Sequence, residues 1–331
     1  MNRFSGVEDD RMTFVLIRKL LRDVRWGLLV VALLFFGFQI FWVKATERVT
    51  TQVAPMFQVM ARSQNKKIED VEKQLFRGPG RVVQGVIGGD QLKFEKAQDV
   101  LSIGYVHPLM QVLLCLWAIG RAAGAIAGEI DRGTMELLLA QPLSRSRIVL
   151  AHLAVDAILI PLLCLSLWGG LWTGTAIVGE LKPDMEAFKE FPLAIKEVDP
   201  SYLKMNVADF GAPLVNVAAF LFALSGLTMW ISSAGRYRWR VIGIAVVLVL
   251  IQFVMNIIGQ IWDDVSFLRP FSVFYYYQPQ QIALRGVWTV PLQEIGLKFT
   301  VPGIAVLLAL GAIGYAMAFR IFMRRDLPAP L

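Results

Sequence analysis

Six stretches of this sequence stay apolar for long enough to cross a lipid bilayer, at 26–43, 100–120, 148–178, 213–234, 241–262 and 299–323. About 20 residues at 1.5 Å each traverse a hydrocarbon core roughly 30 Å thick, so each block suffices for one spanning helix. Within lipid a backbone satisfies its N–H and C=O groups only as a helix or a closed barrel, and unbroken apolar blocks select the helix. The fold class is therefore an all-α polytopic membrane protein with six transmembrane helices. Composition agrees, with 56% hydrophobic and 18% charged residues against roughly 45–50% and 25% in an average soluble domain. The blocks leave no room for a soluble domain, so 1–331 reads as a single membrane domain.

The third block is longer than a span requires. Its surplus, with Pro161 and Gly169-Gly170 inside, predicts a tilted, kinked or interrupted helix. The first block lies behind 25 residues and continues for 18, beyond the roughly 7–15 of a signal-peptide core, and reads as a retained helix. Ahead of it, Arg11, Arg18, Arg22 and Arg25 share a helical face, while Met12, Leu16, Ile17, Leu20 and Val24 occupy much of the rest. Residues 8–25 thus read as an amphipathic helix in the membrane interface.

Orientation follows from Lys and Arg in short loops. With the amino terminus inside, the cytoplasmic segments include 1–25, 121–147, the Arg236-Arg238-Arg240 turn and the carboxyl end, which together hold 16 basic and 8 acidic residues. The segment 180–212 has four Lys against seven acidic residues. Both termini are thus expected in the cytoplasm, and the net charge of +7 is read as topology, with no nucleic-acid partner. The 44–99 segment is basic, but long translocated loops largely escape the rule. Its apolar positions recur at helical spacing and break at Arg77-Gly78-Pro79-Gly80, which predicts an external helical hairpin.

The cytoplasmic segment 121–147 carries the most information. Gly120, Gly124 and Gly128 lie four apart and would admit another helix closely. After Gly133, Thr134 can cap a short helix whose first turn carries Glu136, and Pro142 limits its far end. Leu137, Leu138 and Leu139 within it cannot all be buried against one surface, so the element is either a snug intramolecular loop or a docking element for a soluble partner.

The run 128–145, Gly-Glu-Ile-Asp-Arg-Gly-Thr-Met-Glu-Leu-Leu-Leu-Ala-Gln-Pro-Leu-Ser-Arg, resembles the segment after the second helix of type-2 ABC transporter permeases. It is most similar to the branch named multicopper-enzyme-maturation permeases. Met135 and Leu143 stand where that family usually has Leu and Val, conservative changes in volume. The resemblance implies a short cytoplasmic coupling helix received by an ATPase subunit, with Glu129, Arg132, Gly133, Thr134, Glu136, Leu137, Leu138, Leu139 and Arg145 as the contact. It further implies two ABC ATPase subunits and a second permease chain, as a homodimer, in a bacterial inner membrane; an external accessory protein is a further candidate partner. The preceding amphipathic helix and Ser272-Val273-Phe274-Tyr275-Tyr276-Tyr277-Gln278-Pro279, whose aromatics suit an interfacial belt, also look like the family.

Catalytic and metal residues are expected to be absent. The sequence has no Gly-x-x-x-x-Gly-Lys-Ser/Thr loop and no His-Glu-x-x-His, so no cofactor is expected in this chain and ATP and Mg2+ are assigned to the partner ATPase. Cys115 and Cys164 fall in apolar blocks without metal or disulfide spacing. Asp156 is the only acidic residue inside a block, with His152 one turn earlier. It is either a pathway residue or, as favoured, a carboxylate reaching headgroups or a neighbouring Arg. His107 could line a pathway, but before Pro108 it is read as a hydrogen-bonding partner at that break. Met56 and Met60 offer soft thioethers but are read as the apolar face of the external hairpin. The alternative functions are a non-ABC scaffold or assembly factor, or a secondary transporter; the latter normally places more ionisable residues at mid-membrane.

Overall fold

The computed structural model describes residues 3–53, 96–182 and 203–326. The expected hairpin over 44–99, with Met56 and Met60, lies largely outside these residues, as does 183–202. Among the described residues are six helices long and apolar enough to span a membrane, and the only sheet is one short hairpin.

Helix α1, Arg3–Arg48, continues into a π-helical turn at Val49–Val53. The amphipathic segment and the first span are thus one unbroken helix, because nothing at Arg25-Trp26 interrupts its backbone bonding. Leu16 and Leu20 are buried in the core and Arg18 and Arg22 are exposed. The second span comes in two pieces, α2 Ala97–Val106 and α3 Pro108–Ala123. Pro108 lacks the N–H to continue α2 and suits the first turn of a new helix.

Two short helices follow, α4 Ala127–Asp131 and α5 Met135–Leu139. The third span, α6 Arg145–Val178, continues through Pro161 as one helix, so the interruption among the expected alternatives does not occur. At about 51 Å it exceeds the hydrocarbon core and accounts for the surplus length. The fourth and fifth spans are α7 Pro213–Ala234 and α8 Arg238–Ile261.

Between the fifth and sixth spans the chain folds back as 3-10 turns over Asp263–Phe271 and Val273–Tyr275, α9 Pro279–Arg285, and strands β1 Thr289–Pro291 and β2 Thr300–Pro302. The strands pair antiparallel with Val290 opposite Val301. The last span is α10 Gly303–Arg324.

The most extensive helix contacts are α7 with α10 and α1 with α6. Both are built on glycine. A Cβ on Gly226 or Gly314 would strike backbone of the opposite helix in the α7–α10 pair, and one on Gly170 would strike Phe36 backbone of α1. Lipid supplies no hydrophobic drive between helices, so close backbone approach and dispersion hold such pairs. Helix α7 also meets α3, α6 and α8, making it the hub, whereas α8 is the least enclosed span.

The tyrosines of the fold-back segment do not form an exposed belt. Tyr275, Tyr276 and Tyr277 are buried, and their hydroxyls donate to the carbonyls of Pro291, Pro270 and Tyr105 at 2.5, 2.8 and 2.8 Å. Asn216 of the hub donates to the Tyr276 carbonyl at 3.0 Å and accepts from the Gln278 N–H at 2.9 Å. Backbone polar groups away from water need such partners, and the aromatic cluster with Asn216 supplies them.

Candidate functional site

The segment from α3 to α6 is folded by its own polar side chains. Glu129 is buried and pairs with Arg132 at 2.5 Å. The Thr134 hydroxyl also donates to its carboxylate, and the Thr134 N–H donates to the Glu129 carbonyl at 2.9 Å. Gly133 takes φ +70° in the turn between them, where a side chain would be strained. Thr134 is therefore committed to Glu129 and does not cap α5 with its side chain, contrary to the sequence expectation.

On α5, Met135 is buried and Leu138 and Leu139 pack against the core, so two of the three leucines have intramolecular seats. Leu137 is 69% exposed, with exposed Glu136 beside it. Arg145 at the start of α6 donates to the Phe322 and Arg325 carbonyls at 3.2 and 2.5 Å, with its guanidinium 5.8 Å from the Phe322 ring. Arg325 in turn donates to the carbonyls of Ser233 and Gly235, both at 2.8 Å. Two arginines thus neutralise the carbonyl ends of α7 and α10 and join them to α6.

The Gly120-Gly124-Gly128 face is not a continuous helical surface, because α3 ends at Ala123 and α4 restarts at Ala127. What approaches Gly124 and Gly128 is the Arg238 side chain, which donates to the Gly120 carbonyl at 3.2 Å. Ser232 of α7 meanwhile accepts the N–H groups of Ile126 and Ala127 at 3.2 and 3.0 Å, filling the break between the two helices.

Beside this segment lies a buried charge clasp. Asp156 on α6 has no exposed surface and meets Arg121 on α3 at 2.8 Å. The Tyr315 hydroxyl on α10 donates to the same carboxylate, and Arg121 also donates to the His152 carbonyl at 2.8 Å. Three spans are thereby pinned at one point. Of the two destinations weighed for Asp156, it reaches a neighbouring Arg and no headgroup. Arg121, counted with the loop cations from sequence, stands in the last turn of α3 with its side chain turned inward and 5% exposed. His152 is buried but forms no ion pair with Asp156. Sequence reasoning missed Arg121 and Tyr315; the available signal was that a lone acid in a span requires a counter-charge.

His107 caps α3, accepting the Leu109 N–H on Nδ1 at 3.2 Å, with Trp42 and Phe38 rings 5.0 and 5.7 Å away. An apolar groove of about 390 Å³ runs between α3 and α8, lined by residues such as Val112, Leu116, Ile242, Val246 and Phe253. A smaller one of about 230 Å³, between α6, α7 and α10, has Asp156 in its lining among apolar residues.

The profile of a family described as "ABC-2 family transporter protein" matches residues 17–327. A search of curated proteins finds no match. The match takes in all six spans together with the braced α4–α5 segment. With nearly the whole length matched, the chain belongs to the ABC-2 transporter family, as a multi-pass membrane permease subunit of an ABC transporter.

Proposed function

We propose that this permease couples ATP hydrolysis by two separate ATPase subunits, which hold the ATP and Mg2+, to export or to conformational work across a bacterial inner membrane. Both termini and the α4–α5 segment face the cytoplasm, and two copies of the chain form the membrane unit. The 128–145 run supports placement nearest the multicopper-enzyme-maturation branch.

The observation that carries this reading is Leu137, an exposed apolar side chain on a helix braced from behind by Met135, Leu138, Leu139 and the Glu129–Arg132–Thr134 contacts. A rigid support with one projecting leucine beside Glu136 suits a receiving cleft with an apolar floor and a basic rim. In this reading Glu129, Thr134 and Arg145 shape the surface, while Arg132, Glu136 and Leu137 meet the partner. The clasp of Arg121, Asp156 and Tyr315 would carry a push on this surface into three spans at once.

Leu137→Asp and Glu136→Lys test it in the full chain co-expressed with its ATPase. Both side chains are exposed, so yield and thermal stability should stay at wild-type values while ATPase recovery on the purified permease falls about tenfold. Unchanged recovery and unchanged coupled activity would return α5 to a structural loop.

A further inference from the structure

The turn between α7 and α8 and the first turn of α8 expose five consecutive residues, Arg236, Tyr237, Arg238, Trp239 and Arg240. The Tyr237 ring serves two cations, with the Arg240 guanidinium 4.9 Å and that of Arg236 6.0 Å from its centre, and Arg240 is also 5.1 Å from the Trp239 ring. A third guanidinium stands close by. Arg325, anchored on the Ser233 and Gly235 carbonyls, has its pKa lowered first by burial and then by the charge of Arg236.

Among the described residues, no acidic side chain forms an ion pair with Arg236, Arg240 or Arg325. The Asp131 carboxylate, at this turn, accepts the backbone N–H of Arg238 at 3.3 Å. Like charges gathered at one ring, with no ion pair to them among the described residues, favour an anion from outside.

The surroundings specify its kind. Trp239 is 65% exposed, and Arg240 heads a stripe of exposed Ile244, Val247, Leu248 and Ile251 along α8. A ligand on the guanidiniums therefore continues directly onto apolar, lipid-facing surface. Trp and Tyr settle at headgroup depth, and guanidinium forks match phosphate oxygens.

We propose that Arg236 and Arg240, gathered around Tyr237, with Arg325 anchored on the Ser233 and Gly235 carbonyls beside them, form a binding site for the phosphate headgroup of an anionic phospholipid whose acyl chains lie along the outer stripe of α8. The site is independent of ATPase pairing, so its test uses the permease without that partner.

Full-length protein in neutral detergent would be titrated with phosphatidylglycerol or phosphatidylcholine, and bound lipid counted by native mass spectrometry. Phosphatidylglycerol should bind and phosphatidylcholine should not. Arg236→Gln with Arg240→Gln should weaken phosphatidylglycerol binding at least about tenfold, whereas Arg18→Gln with Arg22→Gln, an equal charge change on α1, should weaken it less than about twofold. Arg236→Lys with Arg240→Lys keeps the charge in the same fold and should retain most of the binding. Equal losses in the two Gln pairs would reduce the effect to net charge and overturn the site. So would equal affinity for both lipids, or intact lipid binding in the Arg236/Arg240 Gln pair.

Discussion

Asp156 shows why a single side chain in a span carries so much. Its carboxylate is out of reach of water and lipid headgroups, and its charge is tolerated because Arg121 lies 2.8 Å away and Tyr315 donates to it. Removing one partner of a buried pair strands the other, at a cost of about 3–5 kcal/mol, whereas replacing both with apolar residues is often neutral. Asp156→Asn should therefore destabilise the purified protein by that order in a detergent melt, and Arg121→Met with Asp156→Leu should recover most of the loss. A single variant as stable as wild type would show that the clasp does not hold the spans. Tyr315→Phe removes one hydrogen bond to a charged group and should cost less, about 1–3 kcal/mol.

At the scale of elements, the α7–α10 pair depends on absent side chains. Gly226 and Gly311 bring the two backbones so close that a Cβ on Gly226 meets the Gly311 carbonyl. Gly226→Ala should force the helices apart and lower stability by about 1–3 kcal/mol, the usual range for overpacking. Gly243 on α8 has nothing within 4 Å of its Cβ position, so Gly243→Ala is the matched control and should leave the melting temperature unchanged. Equal effects of the two substitutions would point to helix propensity instead of packing. The same logic explains the break at His107-Pro108. There the imidazole takes up the Leu109 N–H, so this donor is not stranded at the interruption inside the second span.

For the whole molecule, the proposed orientation puts Ser144 and Lys204 on opposite sides of the membrane. Both are exposed. Single cysteines at these sites, with Cys115 and Cys164 replaced by Ala, should react differently with an impermeant maleimide. Lys204→Cys should label in intact cells, and Ser144→Cys only after the cytoplasm is opened. The reverse pattern would invert the topology and place α5 away from any cytoplasmic ATPase. Arg145 and Arg325 give this end of the molecule a shared base, since they connect the start of α6 to the ends of α10 and α7. Displacement of the segment before Arg145 therefore has a direct mechanical route into the bundle.

The sequence by itself determined that the chain is a helical membrane protein, because apolar blocks of bilayer length leave the backbone no other way to satisfy its polar groups. It also marked the 128–145 run as informative, since local chemistry such as Gly133 in a tight turn and leucines in a short helix is written in consecutive residues. Only the tertiary structure decided which spans meet. Nothing local in the sequence states that Arg121 faces Asp156 and Tyr315, that Gly226 meets Gly311, or that Glu129 claims the Thr134 hydroxyl from its expected capping role. Spans that are apolar on all sides have a weak helical signature of which face is inward. Tyr275, Tyr276 and Tyr277 followed the same principle: composition suited them to a membrane interface, but folding buried them because their hydroxyls found backbone carbonyls that needed donors.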